Sequence, residues 1–272
     1  MANNETRLPE SRHAANGQDL FDHYGRLIPP KLTSAVHLNI RRRFVCVQPT
    51  IEYAAIHRRI ARHLGCDDTL SVTEFECRAE GILDTLRSDA ATRGIVNGVG
   101  VPFFLPKSAT TDIGLAIENT YLKAVRNAFL ELFPDYAFVN YHARSLEGKL
   151  QVAPGSRHER LLERMGKSPV VGYYFPCLLE YSVPAALEQM QSLPDSLILA
   201  GGFDTCATFI ACPDLLLRTD EYPPLLWLAG LSGERESIGY HFEAYGYNLT
   251  FNRRAHFGQA AEYWACGLVA LG

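Results

Sequence analysis

Apolar residues recur at helical spacing over residues 112–133, where Ile113, Ile117, Tyr121, Ala124, Ala128 and Leu132 form one stripe and Pro134 stops it. A second stripe follows Pro49-Thr50, with Ile51, Ala54, Ala55, Ile56 and Ile60 on one face and Gly65 at its end. Thr73-Glu-Phe-Glu76 has capping-box spacing and opens a helix through Phe75, Ile82 and Leu86. A charged helix is expected over 156–165, and another begins at Ser182 with Pro184 near its start. A short helix over 19–26 would end at Pro29-Pro30. Between these periods lie β-prone runs at 44–47, within 98–105, at 136–141, at 170–175 and at 197–200. The last of these, Leu197-Ile-Leu-Ala200, is continuously apolar, as in a strand covered on both faces.

Strands alternating with helices of this length predict an α/β or α+β fold, a mixed sheet flanked by helices. Residues 240–251 alternate with period two, which places His241, Glu243, Tyr245 and Tyr247 on one face and Tyr240, Phe242 and Ala244 on the other. That pattern predicts a late antiparallel or edge strand near 239–252. The polar segment 1–17 reads as a disordered tail, and 18–272 as a single globular α/β domain. Glycine, proline and charge cluster over 145–158, which reads as a loop within that domain.

Composition narrows the function classes. A formal charge of -4 gives no footprint for nucleic acid, despite the local run Arg41-Arg42-Arg43. Seven cysteines without any Cys-x-x-Cys pair argue against a zinc ribbon or a dithiol redox motif, and for reduced thiols in a cytoplasmic protein. The N-terminus lacks the apolar core of a secretory signal, and no run approaches the length of a membrane span. Phosphate-loop, dinucleotide-binding, His-Glu-x-x-His and Gly-x-Ser-x-Gly motifs are all missing. No cofactor is indicated.

Three places carry candidate chemistry. Gly201-Gly202-Phe203-Asp204-Thr205-Cys206 follows the apolar strand, where open sheets place ligand crevices. If a helix starts there, Gly201, Gly202, Asp204 and Thr205 bind substrate and the helix dipole favours the Cys206 thiolate. If instead Gly201-Gly202 is a hairpin turn, 205–211 is a strand and Cys206 a core residue; the β-prone composition favours this second form. His241 and Glu243 share a strand face, as an acid–base pair, as half of a metal shell, or as a plain solvent-facing contact. His142, after the 136–141 strand, is a candidate neutral base. Tyr245 and Arg254 are candidate substrate contacts, the guanidinium suiting a carboxylate or phosphate.

The expectation is an enzyme acting on a small polar metabolite by hydrolysis or group transfer. Cys206 would be the nucleophile, His241 the base and Glu243 the group orienting the imidazole, with His142 auxiliary. Two alternatives stand beside it: a non-catalytic binding or assembly protein with an aromatic pocket, and a metal-dependent enzyme using His241 and Glu243. The apolar segment 264–271 demands cover from this chain or a partner, which makes a homodimer one candidate assembly.

Overall fold

A computed structural model describes residues 19–37, 43–67, 69–256 and 258–272. The expected tail over 1–17, together with Arg41 and Arg42, lies outside the described residues. In chain order come α1 (Tyr53–Leu64), α2 (Val72–Ser88) and β1 (Val101–Leu105). Next, α3 (Ile113–Ala116) runs through a π turn at Ile117–Tyr121 into α4 (Leu122–Leu132), followed by β2 (Phe138–Asn140) and β3 (Gln151–Val152). Then come α5 (Glu159–Lys167), β4 (Val170–Leu179), α6 (Val183–Gln189), β5 (Leu197–Leu199) and α7 (Gly202–Ala211). Four further strands and a short one complete the chain: β6 (Leu225–Trp227), β7 (Leu231–Ser232), β8 (Ile238–Tyr245), β9 (Asn248–Ala255) and β10 (Trp264–Leu271).

The main sheet is mixed and eight-stranded, in the order β1-β4-β10-β6-β8-β9-β2, with β5 also on β10. The β10–β6 and β2–β9 pairs are parallel and the other pairs antiparallel. The apolar segment 264–271 is therefore covered by its own chain: β10 has β4 on one side and both β5 and β6 on the other. Its residues from Trp264 to Ala270 are all buried. Ten consecutive buried residues in β4 explain why that stretch reads as apolar without alternation. A separate two-stranded ribbon joins β3 to β7.

Several local expectations are corrected. Residues 19–26 are not helical, because the Asp22 carboxylate accepts from the Tyr24 and Arg26 backbone N–H groups and turns the chain back on itself, with Phe21 bridging to Leu27. Residues 44–47 form no strand; the Val45 carbonyl accepts instead from the Arg218 guanidinium. The cap of α2 is Ser71, whose hydroxyl accepts from Glu74 N–H, two residues before the expected Thr73. Residues 240–251 are not one strand but the β8–β9 hairpin, turning at Gly246 with φ 61°, a left-handed conformation that suits glycine. The strand is antiparallel as expected, but β8 lies between β6 and β9 and so is not an edge.

Candidate functional site

The alternation expected for 240–245 is present and splits the candidate residues between two sides of the sheet. Phe242 packs on Phe209 of α7, with ring centroids 4.5 Å apart. His241, the next residue along the pleat, projects from the opposite side, edge-on to Trp227 at 5.1 Å. Cys206 belongs to α7, so the sheet backbone separates its thiol from the His241 imidazole. Cys206 is fully buried, and burial pushes its thiol well above the ordinary range, with the neighbouring Asp204 adding to the rise. A neutral, enclosed thiol has no nucleophilic form to offer.

Three candidates, His241, Glu243 and Arg254, meet on the hairpin, and His142 reaches it through Asn252. His241 Nε2 lies 3.6 Å from Glu243 Oε2, an electrostatic contact beyond good hydrogen-bond length. An Arg254 nitrogen stands 3.9 Å from the same carboxylate oxygen, and Arg254 also donates to the Tyr263 hydroxyl at 2.7 Å. Asn252 pairs with His241 across the hairpin, and its side-chain oxygen lies 3.1 Å from His142 Nε2. Burial lowers the pKa of His241 despite the opposing pull of Glu243, and burial likewise lowers that of His142. The approach of the His241 ring, aided by Arg254, holds Glu243 below the usual carboxylate range. The result is a neutral imidazole beside an ionised carboxylate. His241 is only 1% exposed, and Tyr245, at the hairpin tip, is 78% exposed. Among the described residues no group of three His, Cys, Asp or Glu side chains is placed to hold a metal ion.

The turn after β5 is helical, so the form with a helix from Gly202 is the one observed, and β-prone composition at 205–211 is overridden by burial of every residue of α7. Its groups face inward. Asp204 accepts from Gly201 N–H through both oxygens, at 2.9 and 3.1 Å, and from Thr205 N–H at 2.9 Å. The crevice beyond the strand is filled by His158, which sequence reasoning missed; it sits at the start of a charged helix, where nothing marks the imidazole as buried. His158 Nδ1 lies 3.3 Å from the Leu199 carbonyl and 3.9 Å from Asp204 Oδ2. A Cβ on Gly201 would fall 2.5 Å from the His158 ring, so glycine is required here by close packing. Burial raises the Asp204 pKa while His158 opposes the rise.

A larger cleft lies elsewhere among the described residues. A cleft of about 790 Å³ opens between residues 24–26, 45–48, 96–99 and the end of β4. Its walls combine the Arg26 and Gln48 side chains with Val45, Val99 and Leu179, and two thiols, Cys46 and Cys177. Arg26 is steadied by Asp22 at 2.8 Å, and Gln48 is fixed by both backbone groups of Gly100. Burial pushes the Cys46 thiol up to about 12, although Arg218 works against it. None of the candidates named from the sequence lines this cleft, because its walls come from four distant segments without a shared motif. Comparison with family models, curated proteins and solved structures returns no match for this chain.

Proposed function

We propose that the chain binds a small organic molecule in the cleft beside β4. The observation that carries this reading is the cleft itself, whose volume falls in the range of sites that enclose metabolite-sized ligands. Its wall mixes fixed polar groups with apolar side chains, and such polar groups can orient a ligand. Arg26 has its Nε on Asp22 and supplies further donors, so a ligand carrying oxygen acceptors suits it. Val99 lines the cleft, and Val99→Trp fills part of it. Compounds from a metabolite library that raise the melting temperature of the wild-type protein should lose at least tenfold in affinity against that variant. Retained affinity across all such compounds would place binding outside the cleft.

A second reading is favoured by the neutral His241 next to the ionised Glu243. In it the protein is a hydrolase or transferase in which His241 accepts a proton and Glu243 stabilises the imidazolium. Cys206 has no part in this version. For any compound that is turned over, His241→Gln should abolish the reaction and Cys206→Ser should leave it intact. Undiminished turnover by the His241 variant would remove it.

A further inference from the structure

Another, smaller groove lies beside the turn that carries His142, against the π turn between α3 and α4. It encloses about 400 Å³ between the start of α4, β2 and the turn that follows β2. Lys123, Arg126 and Arg144 line it, with the amides of Asn119 and Asn140. Arginines elsewhere commonly meet a carboxylate, as Arg26, Arg62, Arg93, Arg218 and Arg253 do. In the groove, Arg126 and Arg144 have no carboxylate partner among the described residues, and Lys123 reaches only the Asn119 side-chain oxygen at 3.5 Å. The chain as a whole carries a charge of -4, so this concentration of cations is local.

Donors dominate the remaining polar groups. The Asn119 oxygen accepts from Lys123, and the Asn140 oxygen accepts from His142 N–H, which leaves both amide nitrogens as donors. Glu118 is the single carboxylate on the wall, and its Oε2 is already occupied by Leu146 N–H at 3.1 Å. Arg144 is held with φ 62°, a conformation uncommon outside glycine, on a turn tied down by the Asn140–His142, His142–Ser145 and Glu118–Leu146 contacts. Strained backbone and π turns both concentrate at functional sites. Leu122 and Phe138 give the groove an apolar wall.

We propose that this groove binds a small phosphate monoester, its phosphate among the three cations and its organic part against Leu122 and Phe138. A phosphate dianion has three terminal oxygens for Lys123, Arg126, Arg144 and the two amides, whereas a carboxylate would leave most of these donors unmatched. The 400 Å³ volume limits the organic part to about one ring system.

Titration calorimetry with phenyl phosphate, inorganic phosphate and phenol tests the proposal on the full chain. Phenyl phosphate should bind more tightly than inorganic phosphate, phenol should not bind measurably, and added salt should weaken the interaction. In Arg126→Gln/Arg144→Asn the affinity for phenyl phosphate should fall at least tenfold. Asn tolerates the left-handed backbone and both side chains are exposed, so the melting temperature of the variant should match the wild type. Equal affinity in the two proteins overturns the proposal, as does binding of phenyl phosphate no tighter than phenol. Should the double variant melt early, the single Arg126→Gln protein must show a loss of at least threefold for the proposal to stand.

Discussion

Replacing Gly201 by alanine tests whether the crevice after β5 is filled by protein. The added methyl would sit 2.5 Å from two atoms of the His158 ring, about an ångström inside normal contact. The ring cannot swing aside easily: it is fully buried, packed against the Leu199 carbonyl and facing the Asp204 carboxylate. Overpacking a rigid site of this kind costs about 1–3 kcal/mol. The φ of Gly201 is -120°, outside the left-handed region, and pairing the substitution with His158→Ala separates the contact from any backbone contribution. Urea denaturation of wild type, Gly201→Ala, His158→Ala and the double variant reads the clash directly as a coupling energy. In the background without the imidazole, the alanine at 201 should cost less than about 0.5 kcal/mol. If Gly201→Ala is silent in the wild-type background, the crevice is open space and the turn regains its standing as a ligand site.

Acidification should destabilise the protein through its buried histidines. Burial lowers the folded-state pKa of His241, while the unfolded chain keeps a value near 6.5. Stability due to this group is therefore full above about pH 6.5 and falls as the pH drops below it, by at most about 1.4 kcal/mol per pH unit. Burial acts in the same direction on His142 and His256. Urea midpoints measured between pH 7.5 and 5 should decline, and the decline should shrink in His241→Gln; a flat profile would contradict the burial. Thiol accessibility offers a third check: all seven cysteines are free, yet only Cys77 is exposed and Cys66 half-buried. An aromatic disulfide reagent should label Cys77 first and Cys206, Cys212 and Cys266 only with denaturant, and rapid native labelling of Cys206 would refute its enclosure.

The parts of the fold that could be read from sequence are those where one physical signal acts alone. The stripe from Ile113 to Leu132 and the uninterrupted apolar run before Ala200 needed only periodicity, and both are present as helix and strand. The π turn at Ile117–Tyr121 left no trace, because a single extra residue within a helical turn barely displaces the stripe. The β8–β9 hairpin looked like one strand because alternation continues across Gly246. Of the candidate site, the sharing of a face by His241 and Glu243 was legible, since it needs only the pleat. The separation of Cys206 from His241 was not, because it depends on which side of the sheet α7 covers. The same holds for the cleft near Cys46 and for the cations around Arg144, whose neighbours come from distant parts of the chain.

The place of β10 sets an order on how the molecule can be made. It follows the other strands in sequence, yet it supplies the shared neighbour of β4, β5 and β6. Without β10, three earlier strands have unpaired edges and the two halves of the sheet have no common member. Any folding intermediate in which β10 is not yet docked therefore offers these edges to association with another chain, and docking of β10 closes the sheet. Chains truncated before residue 264 should be protease-sensitive, whereas chains that include β10 should be resistant and lose that resistance in a single cooperative step.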